Sequence, residues 1–377
     1  MKEQIKPITP SGALAPARTC VQSLTIVMAL AAVGLLASAS MRAYTASAAS
    51  ARACGGQPCP GSTAPTTPLE YFGGPLLSGA ALTSAGGGPT VYVIWYGNWD
   101  QNNGSDTPDG QQIVYDFLYG VSLGPYSTYG SPYYSINSTL STNGYALNGK
   151  IAYGGSSSVG YLYGTPVRAD DPNKGLMAIV SYTICGASPP LLPDDPNGIY
   201  LIIGSSDVDS TSSCCGSYGN GFCGLYGPGA PGGVCGNTRV VMWEQNAGAT
   251  GLKCKPQQVG PNGNSGVDAM LSTLAHDLAD ASNNGFANGW ETASGADSGN
   301  DGCNWTYGQN MRQVEISMYG RPYYNVTLPS LHTGPGAPTG HRNFLLSRLV
   351  AHNVTVNGIT GDYCAVSCDP LSGAITQ

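Results

Sequence analysis

"NGNSGVDAMLSTLAHDLADASNNG", residues 262–285, is the stretch that decides the fold. Its apolar residues recur at intervals of three and four, which predicts a helix with one apolar stripe. The stripe consists of Val267, Leu271, Leu274 and Leu278. A capping side chain, Asn264 or Ser265, precedes the helix, and the Asn-Asn-Gly at 283–285 ends it.

The predicted helix carries one histidine and two aspartates away from this stripe. At about 100° per residue, His276 and Asp280 lie one turn apart and nearly opposite the apolar residues, with Asp277 at the border. Polar residues in that position usually face water, which is the first interpretation. A zincin-like metal helix gives the same pattern, because it packs one face on a sheet and turns the other to a cleft.

A later glycine-rich loop offers the acid that would complete a metal site. Asp297 and Asp301 lie in "GADSGNDGCNWTYG", residues 295–308. The predicted metal ligands are His276, Asp280 and Asp301. One imidazole and two carboxylates suit zinc or manganese and leave coordination positions open. Asp277 is the predicted catalytic residue, a base that takes a proton from water.

The remaining elements follow from local patterns. Their predicted positions are strands at 87–99, 197–208 and 238–245, helices at 109–121 and 174–184, and a hairpin at 145–155 about Asn148-Gly149. The helix at 109–121 is expected to begin at an Asp109 cap. Strands mixed with helices, without a regular β-α-β rhythm, favour an α+β fold. We expect a mixed sheet with the zincin-like helix and disulfide-rich loops in a single domain.

The first seventy residues differ from the rest. Basic residues precede an apolar run at 24–36, and Ala37-Ser38-Ala39 follows it, which predicts a signal peptide over 1–39. The run is shorter than the roughly 20 residues that span a bilayer, so no membrane span is expected after cleavage. An uncleaved signal anchor is the alternative. Residues 40–70 form a predicted linker rich in Pro, Ser and Gly, and 71–377 the domain.

Composition favours an extracellular protein. Only 10% of the 377 residues are charged, against about 25% in typical soluble domains, and the net charge of −7 comes without a basic patch. Nucleic acid is therefore excluded as a partner. Twelve cysteines predict disulfides in an oxidising compartment. Five N-glycosylation sequons support a secreted glycoprotein, at Asn103, Asn137, Asn304, Asn325 and Asn353.

An ordered set of short segments resembles one known family. The segments are "GPTVYVIWYGNW", "SPYYSINSTL", "GIYLIIGSSDV", "VGPNGNSGVDAMLSTLAHDLAD", "GCNWTYG" and "GDYCA", which cover most of residues 87–365. In this order they resemble the EXORDIUM, or phosphate-induced protein 1, family. The resemblance implies a secreted protein of the cell wall or apoplast, related to growth or nutrient responses and without strong catalysis.

The resemblance also bears on the candidate site. Many non-plant relatives carry H-E-x-x-E in this helix and an aspartate just before the cysteine of the tryptophan block. The matching positions here are His276, Asp277, Asp280 and Asp301, so both family glutamates are aspartates. Each substitution retracts the carboxylate by about 1.5 Å, one C–C bond, which predicts a weakened site.

Three functions are therefore expected. The first is an extracellular EXORDIUM-like protein without strong catalysis, and the second is a metal-dependent, zincin-like hydrolase with a weakened site. The third is a carbohydrate-binding matrix protein whose many aromatic residues stack on sugar rings. The partner would be a wall or matrix polysaccharide or an extracellular protein.

Overall fold

The computed structural model describes residues 42–43, 66–77, 88–123, 133–142, 145, 147, 149–213, 215–229, 233–250, 253–293, 299–314, 320–332, 340–368 and 375–376. Within these ranges the helices are α1 (Pro108–Ser122), α2 (Leu176–Ser181) and α3 (Ser265–Asn284). The 3-10 turns are Tyr134–Leu140, Ala247–Thr250 and Asp301–Cys303, and a π turn at Tyr182–Gly186 continues α2.

The strands are numbered in chain order. They are β1 (Arg42–Ala43), β2 (Leu69–Tyr71), β3 (Thr90–Tyr96), β4 (Ala152–Gly160), β5 (Val167–Arg168), β6 (Gly198–Gly204), β7 (Ser210–Ser212), β8 (Gly216–Ser217), β9 (Gly224–Pro228), β10 (Val240–Gln245), β11 (Trp290–Thr292), β12 (Arg312–Gln313), β13 (Tyr323–Tyr324), β14 (Val326–Pro329), β15 (His341–Phe344), β16 (Leu349–Val356), β17 (Ile359–Ala365), β18 (Ser367–Cys368) and β19 (Ile375–Thr376).

A mixed six-stranded sheet forms the centre, in the order β1-β9-β10-β6-β3-β4. Strands β10, β6, β3 and β4 are parallel to one another, whereas β9 is antiparallel to β10. Helix α1 lies between β3 and β4 in the chain, and α2 lies between β4 and β6. The remaining strands form small sheets around this centre, including the hairpin of β16 and β17. The prediction of an α+β fold with a mixed sheet is confirmed.

Strand alternation assigns each side chain of β10 to one face of the sheet. Val240 and Met242 belong to the core cluster that also contains residues of α1 and α3, whereas Val241 and Trp243 belong to the cluster that contains residues of α2. Because successive side chains point to opposite faces, Glu244 lies on the same face as Val240 and Met242. The only acid of β10 therefore points toward α3.

Two local predictions were wrong. Helix α1 begins at Thr107, not Asp109, because the Thr107 hydroxyl accepts a hydrogen bond from the Gly110 N–H and Pro108 occupies the first helical position. The described residues of 145–155 show no hairpin pairing with each other. Gly149 does have the positive φ of a turn, +67°, but β4 pairs with β3 in parallel after the α1 crossover. A run of strand-forming residues predicts that a segment is a strand, but it does not identify the strand with which that segment pairs.

Disulfides link several loops, as the cysteine count predicts. The bonds are Cys185–Cys235, Cys223–Cys254 and Cys303–Cys364, and Cys215 is also disulfide-bonded. The predicted signal peptide over 1–39 lies outside the described residues. Two pieces of the segment 40–70 are described, and both pair with other strands, β1 with β9 and β2 with β11. None of the helices in the described part of the chain is long and apolar enough to span a bilayer.

Candidate metal site

Helix α3 is enclosed on every side. His276, Asp277 and Asp280 are each fully buried, so the interpretation in which they face water is wrong. The helix begins where the Asn264 side chain accepts a hydrogen bond from the Val267 N–H. The sheet covers its apolar stripe, and the chain that follows the helix covers the opposite face. Periodicity could not reveal this second cover, because it comes from residues distant in sequence.

Three predicted metal ligands converge at one point. Nε2 of His276 lies 3.1 Å from Oδ2 of Asp280 and 3.3 Å from Oδ1 of Asp301. One ligand atom from each residue lies within 4.8 Å of the other two. Helix geometry brings His276 and Asp280 together one turn apart. Asp301 comes from the 3-10 turn that follows 25 residues after His276.

Neighbouring groups fix both carboxylates. The backbone N–H and the side-chain amide of Asn300 both donate to Oδ1 of Asp280, each at 2.9 Å, which leaves Oδ2 directed at His276. Oδ1 of Asn300 in turn accepts from the Val350 N–H at 2.9 Å. The disulfide between Cys303 and Cys364 anchors the end of the turn that carries Asp301. These contacts from outside α3 fix the carboxylates of Asp280 and Asp301 beside His276.

The cluster is negatively charged and largely dry. Burial by itself lowers the pKa of His276, but the carboxylates of Asp280 and Asp301 outweigh burial and raise that pKa to about 10. A protonated His276 leaves one net negative charge on the three residues. Burying an uncompensated charge is costly. A divalent cation with neutral His276 would balance the two carboxylates.

The three residues fit zinc or manganese. Ligand bonds of about 2.0–2.2 Å place neighbouring ligand atoms about 3 to 3.5 Å apart around such an ion. The observed separations from Nε2 of His276 to the two carboxylate oxygens are within or at the edge of this range. One nitrogen and two oxygen donors also match the preferences of these metals. An ion would take the place of the proton on Nε2.

A second acidic pair lies beside the cluster. Asp277 of α3 and Glu244 of β10 are both fully buried, and none of their four carboxylate oxygens has a hydrogen-bond partner among the described residues when both are ionised. Both carboxylates approach Gly224 of β9. A Cβ on Gly224 would lie 2.3 Å from Oδ2 of Asp277 and 2.5 Å from Oε1 of Glu244. Glu244 and Gly224 are register partners across the β9–β10 ladder.

The two acids must share a proton. Burial raises the pKa of Glu244 well above its ordinary value, and the charge of Asp277 raises it further. Burial also raises the pKa of Asp277, to about 7, although His276 and a hydrogen bond from Glu244 oppose this. Burial and mutual repulsion therefore both favour one proton shared between Glu244 and Asp277. The negative charges of Asp280 and Asp301 also raise the pKa of Asp277, so Asp277 interacts electrostatically with the cluster.

The structure thus brings together His276, Asp277, Asp280 and Asp301, the four predicted site residues. Asp297 lies outside the described residues. Sequence reasoning missed Glu244. A signal was present, because "VVMW" at 240–243 is apolar and Glu244 is the next residue on the Val240–Met242 face. An acid at an inward position of a buried strand indicates a partner or a function.

The fold and site define a class: an α+β protein whose mixed sheet packs against a helix carrying part of a His-Asp-Asp cluster that could hold a metal ion. Residues 69–314 match the conserved region of phosphate-induced protein 1, and the chain belongs to that family. The matched region contains the candidate metal ligands and the acid pair.

Two curated relatives come from Arabidopsis thaliana. Protein EXORDIUM-like 5 is 25% identical over 243 residues, which cover 59% of this chain and 59% of the relative. Protein EXORDIUM-like 3 is 25% identical over 240 residues, which cover 59% of this chain and 63% of the relative. The chain thus spans about three-fifths of the length of these relatives. No solved structure matches it.

Proposed function

We propose that this chain is an extracellular EXORDIUM-like protein that binds one zinc or manganese ion and acts as a slow metal-dependent hydrolase. The convergence of His276, Asp280 and Asp301 in a buried site carries this proposal. The disulfides support an oxidising, extracellular location, and so do the EXORDIUM-like relatives. A role in growth or nutrient response is part of the same proposal and rests on family resemblance alone.

Each protein group has a distinct part in the proposed chemistry. A bound divalent ion would supply a water molecule of lowered pKa and polarise the bond to be cleaved. His276 supplies the nitrogen ligand, Asp280 an oxygen held in place by Asn300, and Asp301 the third ligand. Asp277 would be the base that takes a proton from that water. The catalytic rate is slow because the short Asp277 side chain points toward Glu244 and Gly224.

Exposure indicates the direction of approach to the site. His276 and Asp280 are fully buried, whereas the side chain of Asp301 is 32% exposed. A substrate or a metal ion would therefore reach the cluster past Asp301. Exclusion of water from the other side strengthens the electrostatic interactions within the cluster.

The structure supports carbohydrate binding less well than it supports the metal-dependent hydrolase. Every tryptophan is buried, so none offers an exposed stacking platform: Trp95, Trp99, Trp243, Trp290 and Trp305. Exposed aromatic side chains include Tyr153 and Tyr161, at 42% and 40% exposure. A polysaccharide or an extracellular protein remains the proposed partner class for the hydrolase, reached through the Asp301 side of the site.

Elemental analysis of the purified protein, after incubation with zinc or manganese and removal of free metal, tests this function. We expect one equivalent of metal in the native chain and in the His341→Ala control, whose histidine is exposed and outside the cluster. We expect no metal in His276→Ala. Equal metal content in His276→Ala and the native chain would remove the basis of the proposal. Metal bound without any hydrolysis of peptide, ester or glycoside test substrates would reduce it to metal binding.

A further inference from the structure

The five sequons occupy very different environments in the folded protein. An N-glycan is attached through Nδ2 of the asparagine, so this atom must reach solvent and must not be committed to the fold. The sequence alone cannot rank the sequons, because all five have the same N-x-[ST] pattern. Burial and hydrogen bonding of each asparagine can rank them.

Two sequons are incompatible with a glycan in this fold. Asn137 lies in the 3-10 turn Tyr134–Leu140 and is only 3% exposed. Asn325 uses both hydrogens of its side-chain amide, donating to the carbonyl oxygens of Tyr307 at 3.0 Å and Leu346 at 2.8 Å. A glycan on Nδ2 would replace one of these hydrogens and break its hydrogen bond. It would also push away the chain that contacts Asn325. A molecule modified at either asparagine could not reach this structure.

Two further sequons are constrained. Nδ2 of Asn103 donates to Oδ2 of the buried Asp106 at 2.7 Å, and its Oδ1 accepts from two backbone N–H groups. Asn304 is half-buried between the disulfide-bonded Cys303 and the buried Trp305, and its Oδ1 is enclosed. The side chain of Asn103 therefore contributes to local structure, and that of Asn304 is partly enclosed.

Asn353 differs from the other four because it combines exposure with a side chain that is not committed to the fold, whereas the exposed Asn103 is hydrogen-bonded through its side chain. It is exposed and lies in the β16–β17 hairpin, where the register shifts between Ala351 and Val354. Its backbone N–H donates to Oδ1 of Asp362 at 2.8 Å, which fixes the main chain. Its side-chain amide has no hydrogen bond to any described residue. Its φ of +53° is a conformation that asparagine tolerates well.

We propose that Asn353 is the N-glycosylation site of the folded protein and carries its one glycan. A bond forms between Nδ2 of Asn353 and C1 of the first sugar, and the bond from C1 to the diphosphate of a lipid-linked oligosaccharide breaks. The lipid diphosphate leaves, and Nδ2 gives up one proton. The proposal rests on the extracellular part of the proposed function and is independent of the metal site.

The test is secretion of the full chain from insect cells, with intact mass measured before and after enzymatic removal of N-glycans. Each sequon is removed at its hydroxyl position, so that every asparagine stays in place. The variants are Ser105→Ala, Thr139→Ala, Thr306→Ala, Thr327→Ala and Thr355→Ala. Thr355→Ser is the matched control, because serine preserves the sequon.

We expect the secreted native chain to lose the mass of one glycan on enzymatic treatment. Thr355→Ala should show no such loss, whereas Thr355→Ser and the other four variants should behave like the native chain. A glycan that persists in Thr355→Ala, or disappears in Thr139→Ala or Thr327→Ala, would overturn the assignment. Secreted protein without a glycan would overturn it while leaving the extracellular location intact. Glycan-free protein retained in the cells would count against both.

Discussion

Nε2 of His276 lies 3.1 Å from Oδ2 of Asp280, one helical turn away, and both side chains are fully buried. Each ionised group of this pair loses its hydration on burial, so the contact has to compensate for a large desolvation cost. Asp301 joins them from a separate loop and keeps part of its side chain in solvent. The two aspartates therefore contribute differently to stability while serving the same proposed metal.

Asp280→Ala and Asp301→Ala should separate these contributions. In metal-free protein, Asp280→Ala removes the partner of His276 and the acceptor of both Asn300 hydrogen bonds, and should cost about 3–5 kcal/mol. Asp301→Ala should cost at most about 1 kcal/mol, because the Asp301 side chain is partly exposed. Urea unfolding measures both, and elemental analysis should find no metal in either variant. Equal destabilisation by the two substitutions would contradict the assigned geometry.

The metal-free protein should lose stability as pH rises from 5 to 10. The pKa of His276 is raised from 6.5 to about 10, so its favourable contribution is complete below pH 6.5 and is lost as pH rises toward 10. The pKa values of Asp268 and Asp277 are raised from 3.8 to about 7 by burial, so ionisation of both aspartates destabilises the fold as pH rises toward 7. The unfolding temperature should fall by several degrees across this window.

Acids with lowered pKa do not reverse this trend. Their stabilisation is complete above about pH 5 and is lost only at lower pH; they are Asp170, Asp207 and Asp362. Zinc should reduce the fall in unfolding temperature, because the ion replaces the proton on His276. A metal-free unfolding temperature that rises between pH 6 and pH 9 would show that His276 is not held between two carboxylates.

Local sequence features were sufficient for the principal elements and insufficient for how they pair. Apolar periodicity and the Asn264 cap predicted α3, and β-branched runs predicted β3, β6 and β10. The parallel pairing of β4 with β3 depends on the α1 crossover, which no short pattern encodes. Burial of the outer face of α3 depends on residues around Asn300, far along the chain. The periodicity of apolar residues predicts which face of a helix packs on the core, but it does not show whether other parts of the chain cover the opposite face.

The candidate site was partly predictable for the same reason. His276 and Asp280 follow from helical spacing, and Asp301 from the composition of its loop. Glu244 reaches Asp277 because β10 and α3 pack face to face, a tertiary contact with no signature in either segment alone. The partner of Asp277 therefore became visible only when the sheet order was known.

Gly224→Ala tests how closely the acid pair is packed. The new Cβ would lie within 2.5 Å of both carboxylates, and neither buried acid can withdraw into solvent. We expect a loss of about 1–3 kcal/mol in the free energy of unfolding. Gly186→Ala is the control, because a Cβ there meets its nearest atom at an ordinary 3.4 Å and should change stability by about 0.5 kcal/mol or less. Similar effects of the two substitutions would count against the crowded pair.

A double-mutant cycle tests the contact between Glu244 and Asp277. Asp277→Glu should overfill the space beside Gly224, and Glu244→Asp should open a gap in the contact. The double variant keeps the combined length of the two side chains. Its loss of unfolding free energy should therefore be smaller than the sum of the two single losses by about 1 kcal/mol or more. Denaturant unfolding of the four proteins gives this value. Additivity within about 0.5 kcal/mol would mean that the two acids do not interact.

Removal of the Cys303–Cys364 disulfide should impair metal binding as well as stability. Its cysteines are 61 residues apart in sequence, and those of Cys185–Cys235 are 50 apart, so loss of either bond should cost a similar amount, about 2–4 kcal/mol. Only Cys303 ends the turn that carries Asp301.

Substituting serine for both cysteines of one bond at a time gives two variants, one without Cys303–Cys364 and one without Cys185–Cys235. The two missing bonds close loops of comparable length. Zinc titration below the unfolding transition should show affinity reduced at least tenfold in the variant at 303 and 364, and unchanged in the variant at 185 and 235. This difference is expected because freeing the turn lets Asp301 move away from His276, a loss of preorganisation at a metal ligand. Equal zinc affinity in the two variants would mean that Asp301 is held by other contacts or is not a ligand.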